Sequence, residues 1–401
     1  MPSPPPIRWD PPDPRELPDI RAELLDYYDC DPAKLAMAEA LRAGRSTITP
    51  RVPGMAASPE SVGAAVLVES ERHRLAGAEL FYATADMTAL ALAAAQTPPV
   101  EPVSLSRPPT EAGLMVFAEP IGGYVEDIGA ALAGTFAARP GVDAKVTTPI
   151  VAVSWSQWSP DAVLLDGGTI EWTWRSGGVR RTLPRHYPGI WVTFYSPRGL
   201  FSGLPTDTAI GTLHDGTAMT AGMVDNHREA HGPTLGWDNE NVLAENLRFQ
   251  PAQPDTTDTW AHVVYTAWQL MASDGRTRWT ETEEIPRARA GAKRDARQGI
   301  TGPGAVKVVR VHTAHQPPRQ AVDADAAAST GRREPSWSCR WPVRPHRRDH
   351  CMNPGKHSSG DCRHEDRLIP GYVKGPDDKP LRTGRTVHLW DHQPAPDESP
   401  A

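Results

Sequence analysis

Over the first hundred residues, apolar positions recur at helical spacing between clear start and stop signals. PDIRAELLDYY and DPAKLAMAEALRAG read as two short helices, the second opened by Asp31 with Pro32 behind it and closed by Gly44. Leu35, Ala38 and Leu41 fall on one face of that second helix. SPESVGAAVLVESERHRL repeats the grammar with Ser58, Pro59 and Glu60, and ATADMTALALAAAQ follows with Thr84 or Asp86 as its cap. Residues 1–17 ahead of them form a proline-rich arm, expected to be extended and mobile.

The period then shortens from helix to strand. GLMVFAEPIGG, TTPIVAVSWSQW, GGTIEWTWRSGG and GIWVTFYSP are short, rich in β-branched and aromatic residues, and separated by Gly, Pro and Asp. Val151, Val153 and Trp155 alternate with Ala152, Ser154 and Ser156, and Ile170, Trp172 and Trp174 alternate with Glu171 and Thr173. Such alternation predicts one buried face and one wet face. Residues 101–250 are therefore expected to be an antiparallel β-rich domain, with ENVLAENLRF as a short helix near its end.

Helical spacing returns in DTTDTWAHVVYTAWQLMASDG, where Trp260, Val263, Val264, Ala267, Trp268 and Met271 share one face, Asp258 or a neighbouring threonine is the cap and Gly275 the stop. RARAGAKRDARQG is basic around a single acid, Asp295, and suits either a solvated helix or a phosphate-tracking arm. AVKVVRVHT reads as a strand and residues 315–335 as a linker; WSCRWPVR, DRLIPGYVKG and RTVHLWD are further strand candidates. The whole predicts an α+β protein: a helical N-terminal part over 18–100, a central antiparallel sheet over 101–250, and a small basic C-terminal sheet over 255–395 with the tryptophan-bearing helix packed on it.

Charge sharpens this picture at one end. The chain of 401 residues carries a net charge of -7, yet residues 331–390 hold 13 Lys and Arg against 7 Asp and Glu. A basic island on an acidic chain points to a partner bearing phosphates or carboxylates, or to a solvated face with none. The first residues show no basic segment followed by an apolar one, and no run reaches the about 18 apolar residues of a membrane span, so a soluble, cytoplasmic protein is expected. Three of the four cysteines cluster among histidines, which suits free thiols or a metal site better than a disulfide framework. No Walker lysine, no nucleophile elbow and no dinucleotide fingerprint is present.

The candidate chemistry concentrates in WSCRWPVRPHRRDHCMNPGKHSSGDCRHEDRLIPGYVKGP. Cys339, His350, Cys351 and Cys362 are candidate zinc ligands, with His346, His357 and His364 in reserve, although no Cys-x-x-Cys knuckle is present. His346 and His350, four apart, would share one helical face. Arg344, Arg347, Arg348, Arg363, Arg367 and Lys374, interleaved with Trp337, Trp341 and Tyr372, are candidate nucleic-acid contacts, because guanidiniums bind phosphate bidentately and aromatic rings stack on bases. A catalytic alternative is an RNase-like reaction with one imidazole as base, another group as acid and arginine on the phosphorane, drawn from His346, His350, Arg347, Arg348 and Tyr372. HREAH at 227–231 carries its Glu229 between the histidines, where a helix would turn it away from a shared metal, and Asp207, His214 and Asp215 form a loop-rich group.

TWAHVVYTAWQLMAS, the basic run ending in AVKVVRVHT, and the close VRPHRR … NPG … RLIPGYVKGPDDKPLRTGRTVHLW together resemble a family of actinobacterial, plasmid and actinophage proteins over about the last 150 residues. A weaker echo lies in ELFYATADMTALALAAA and GLMVFAEPIGG. The resemblance rests on a Val-Arg-x-His-x-Arg element and a Tyr-Val-Lys-Gly-Pro element, matched here by Arg344, His346, Arg348, Gly355, Tyr372, Lys374, Gly375 and Pro376. Arg347 stands where that family carries an aromatic residue, and the cysteines lie outside its pattern. The resemblance implies a mobile-element or regulatory context and no mechanism. The expected function is nucleic-acid binding through the basic C-terminal module. The alternatives are an RNase-like toxin or metal-assisted hydrolase centred on His346 and His350, and a protein-interaction module.

Overall fold

The computed structural model describes residues 9–42, 44, 46–54, 58–127, 145–163, 170–176, 179–197, 205–212, 216–223, 226, 233–250, 256–273, 278–312, 340–343, 346–352, 363–369, 372–376 and 379. The chain opens with helices α1 (Leu17–Tyr28) and α2 (Asp31–Arg42), strand β1 (Ile48–Arg51), helix α3 (Pro59–Gly77), strand β2 (Glu79–Ala83) and helix α4 (Ala85–Ala94). Strands follow: β3 (Ala112–Phe117), β4 (Gly122–Asp127), β5 (Lys145–Ile150), β6 (Ala152–Trp158), β7 (Glu171–Ser176), β8 (Val179–Thr182), β9 (Gly189–Pro197), β10 (Ala209–Thr212), β11 (Ala218–Thr220) and β12 (Leu235–Ala244). Helix α5 (Thr257–Met271), strand β13 (Thr280–Ile285), helix α6 (Arg289–Arg297) and strands β14 (Val306–Val311), β15 (Trp341–Val343), β16 (His346–Cys351), β17 (His364–Ile369) and β18 (Tyr372–Lys374) complete the order. The expected caps form where a hydroxyl can reach the first free amides: Ser58 accepts from Ser61 N, Thr84 from Met87 N and Thr256 from Thr259 N.

Seven strands build the main sheet in the order β12-β9-β6-β3-β2-β14-β13. The α+β class stands, but the sheet is mixed rather than antiparallel, because β2 pairs parallel with both β3 and β14. β2 is ELFYA, which lies in the stretch expected to be helical. An apolar run of that length carries no period of its own, so its partners decide its form. Helix α4 makes the crossover that a parallel β2-β3 pair requires.

Three further expectations give way to pairing. ENVLAENLRF is not a helix; its first half is the end of β12, held along β9 from Leu235↔Pro197 to Ala244↔Gly189, and this ladder outweighs the helix propensity of Glu, Leu and Ala. β14 joins β2 and β13, not the C-terminal strands. Helix α5 packs with α4 on the main sheet, where Trp268 meets Trp155 with ring centroids 5.2 Å apart and Trp260 meets Phe194 at 5.5 Å. Gly113 on β3 leaves room for this packing, since a Cβ there would sit 2.2 Å from the Trp155 ring.

Both faces of the sheet are covered. Phe81, Met115, Val153, Val192 and Phe194 point to the α4–α5 layer, while Leu80, Leu114, Trp191, Tyr195 and Val306 point to the layer of α1 and α3. The polar side of β6 is therefore not wet: Ser154 is fully buried. Of the apolar stripe expected on α2, Ala38 and Leu41 are buried, joined by Ala33 and Met37, while Leu35 is 68% exposed. The end of the proline-rich arm is docked, with Trp9 Nε1 donating to Phe117 O and Leu17 fully buried. Of the basic segment around α6, Arg287 bridges Asp19 of α1 and the buried Asp295, while Arg289, Lys293, Arg294 and Arg297 are exposed.

The smaller sheets are β1-β7-β8, β4-β5, β10-β11, β15-β18 and β16-β17, of which β15 and β18 lie against α4. RTVHLWD and the linker 315–335 lie outside the described residues. No helix among the described residues is long and apolar enough to cross a membrane.

Candidate functional site

The segment to which composition pointed forms strands. His346 and His350 lie four positions apart along β16, so at the rise of an extended chain their backbones are about 13 Å apart rather than on successive helical turns. Register sets His346 opposite Ile369, Arg347 opposite Leu368, Arg348 opposite Arg367, His350 opposite Glu365 and Cys351 opposite His364. Tyr372 pairs with Val343 at the neighbouring β15-β18 ladder. Cys351 is a half-buried free thiol, and Arg363 and Lys374 are exposed. Arg340 is engaged, pairing with Asp86 at 2.9 Å and donating to Lys379 O.

Arg344, Cys339 and Cys362 lie outside the described residues, as do HREAH, His214 and Asp215; Asp207 is exposed. Two of the four candidate zinc ligands are thus not placed. Among the described residues no group of three or more His, Cys, Asp or Glu is arranged to hold a metal ion. The two strands of the β16-β17 ribbon carry Arg347, Arg348 and Arg367 against Asp349, Glu365 and Asp366, so their charges cancel.

A second site, which sequence reasoning missed, is built between α3 and the sheet. Glu71 lies one turn beyond Leu67 on the buried face of α3 and is itself 2% exposed. Beneath it, register lines up Glu240, Thr193 and Ser154 across β12, β9 and β6. Glu71 accepts from Ser154 Oγ at 2.6 Å, from Thr193 Oγ1 at 2.6 Å, from the Tyr195 hydroxyl, and from Arg74 Nη2 and Nε at 2.6 and 3.2 Å. Burial pushes this carboxyl up, but the Arg74 charge and the three hydroxyls outweigh burial and hold it below the ordinary glutamate value. Arg74 stacks over Trp191 at 5.2 Å from the ring centroid, which fixes the guanidinium plane.

Glu240 has the opposite fate. Its Oε1 accepts from Ser46 Oγ at 2.5 Å and from Ile48 N at 3.0 Å, tying β1 to the main sheet, while Oε2 is buried with no partner. Burial dominates, and with Glu71 nearby it pushes the Glu240 carboxyl up to about 7.

On the outer side of Arg74 the structure opens into a groove of about 960 Å³. Val62, Ala65, Val66 and Ser70 of α3 form one wall; Ser156 and Trp158 of β6, with Val163 and Ile170, form the other. The inner end is polar: Arg74 Nη1 faces Ser156 Oγ at 3.5 Å, and the buried Trp158 Nε1 has no hydrogen-bond partner. Trp158 is set by Trp172 and Trp191, whose ring centroids lie 5.0 and 5.2 Å away. Glu69, His73 and Glu111 stand around the groove, all exposed. Such a concave, mainly apolar space with a few convergent donors has the make-up of a small-molecule site.

The signal for this site was present but divided. A Glu and an Arg three apart on the buried stripe of α3, and serines alternating with Val153 and Trp155 on β6, belong to one polar layer only once the strand order is known. Comparison of the chain with protein-family models, with curated proteins and with solved structures returned no match.

Proposed function

We propose that the protein binds a small, largely apolar molecule in the groove between α3 and β6. The observation that carries this reading is the juxtaposition of about 960 Å³ of apolar-walled space with a buried, rigidly held Arg74 whose Nη1 still has capacity to donate. The Glu71–Arg74 pair and the tryptophan cluster form a preorganised floor, so little ordering cost remains for the ligand to meet. Substituting the exposed Ala65 by Trp places an indole in the groove without touching the core. That variant should lose saturable binding of an apolar dye while keeping its melting temperature; unchanged binding would overturn the reading.

Nucleic-acid contact through the C-terminal strands is a second reading, supported by the exposed side chains of Arg363 and Lys374 and by the opposition of Arg348 to Arg367. Removing both Arg363 and Lys374 should weaken binding to a short DNA or RNA and reduce the slope of log affinity against log salt by about 1.5. A cleavage role for His346 and His350 would appear as turnover of RNA that His346→Ala abolishes with binding retained. A preserved salt slope in the double variant would remove those two side chains from the interface.

A further inference from the structure

We infer that the molecule held in this groove is uncharged and presents an acceptor oxygen, as in a ketone, ester or amide, to Ser156 and Arg74; the inference rests on the groove being the binding site. Three observations lead to it. First, the guanidinium of Arg74 is not a free cation. Its Nη2 and Nε are both committed to Glu71, and this ion pair is closed within the protein. A carboxylate or phosphate entering the groove would leave water for a floor whose charge is already cancelled, and desolvating an anion without a counter-charge is costly.

Second, the charges around the groove do not favour an anion either. Glu69 is paired with Arg72 through contacts of 3.0 and 3.1 Å, and Glu111 is an exposed carboxylate on the other side. Third, the donors at the inner end are neutral or neutralised and have capacity to spare. The Ser156 hydroxyl accepts from Arg74 Nη1 at 3.5 Å and keeps its own proton to donate, and Arg74 Nη1 carries a second N–H. A donor covered by a ligand and left without an acceptor costs free energy, so a neutral oxygen that takes up the Ser156 proton is favoured over a plain hydrocarbon. The rest of the molecule would lie along Val62, Val66, Val163 and Ile170.

The test uses the full chain and two dyes: Nile red, which is neutral and carries a ring carbonyl, and anilinonaphthalene sulfonate, which is apolar but anionic. Nile red should bind saturably with a blue-shifted emission, and at least about tenfold more tightly than the sulfonate. Ser156→Ala should weaken it by about fivefold, one hydrogen bond's worth, and Ser156→Thr, which keeps the hydroxyl, should not, with the circular dichroism spectrum unchanged in both. Equal affinity of the sulfonate in competition with Nile red, or Nile red affinity unmoved by Ser156→Ala, would overturn the inference while leaving the groove a binding site. If neither dye binds saturably, or if Ala65→Trp and Ser61→Trp both leave dye binding intact, the groove reading itself falls.

Discussion

Two buried glutamates in one layer of side chains show how far local partners decide a residue's behaviour. Glu71 has three hydroxyl donors and a guanidinium; Glu240 has two donors on one oxygen and none on the other. Replacing Glu71 by Ala leaves Arg74 buried without its counter-charge, and should cost about 3–5 kcal/mol in denaturant unfolding. Glu240 works the other way. Its folded value of about 7 lies above the ordinary 4.5, so the folded state holds the proton more tightly than the unfolded chain. Its contribution is full below pH 4.5 and is lost as pH rises through 7, a difference of about 3 kcal/mol. Glu240→Gln should therefore be more stable than the parent at pH 8 and show no such advantage at pH 4.5, which thermal melts at the two pH values would reveal. At this scale the sequence was only half legible. Ser154 and Ser156 were visible as the polar half of an alternating strand, but that half is read as solvated unless a charged helix face is known to lie over it.

At the scale of elements, long and strongly periodic segments were the legible ones. Helix α5 and strands β6 and β9 formed where the spacing of their apolar residues placed them. β2 and the end of β12 did not, because four apolar residues or a stretch of good helix formers take their shape from the strands beside them. Helix α6 shows the same limit for charge. Its exposed Arg289, Lys293, Arg294 and Arg297 fit a solvent-facing helix, yet just ahead of it Arg287 spans Asp19 and Asp295 while the wholly buried Arg21 of α1 lies 4.0 Å from Asp295. Arg21 also donates to Ala78 O and Pro303 O, so α1, the start of β2 and the approach to β14 meet at one guanidinium. Asp295→Ala should release α6 and leave two arginines facing each other, at about 3–5 kcal/mol. Hydrogen exchange should then rise through 289–300 before it rises in α5.

For the whole molecule, the three-layer arrangement places titrating groups on opposite sides of one sheet with opposite signs. His262 on α5, stacked on Phe249 at 4.6 Å, is pulled down to about 4 by burial. Its contribution is present above pH 6.5 and is lost as pH falls toward 4. Between pH 4.5 and 6.5 the slopes of His262 and Glu240 cancel, so the denaturant midpoint of the parent should stay nearly level there; in Glu240→Gln it should fall on acidification. The groove itself could not be read along the chain, because its walls come from residues 61–77, 111–112, 156–163 and 170, which meet only through the β3-β6 pairing beneath α3. The same strand order governs when the molecule can be finished. β2 is one of the inner strands of the sheet, but its second neighbour, β14, is more than two hundred residues downstream. During synthesis every strand from β2 to β12 emerges before that neighbour exists, and the backbone of Leu80 to Ala83 waits as an open edge. Chains that stop at residue 300 should therefore collect in the insoluble fraction, while chains that reach residue 312 should not.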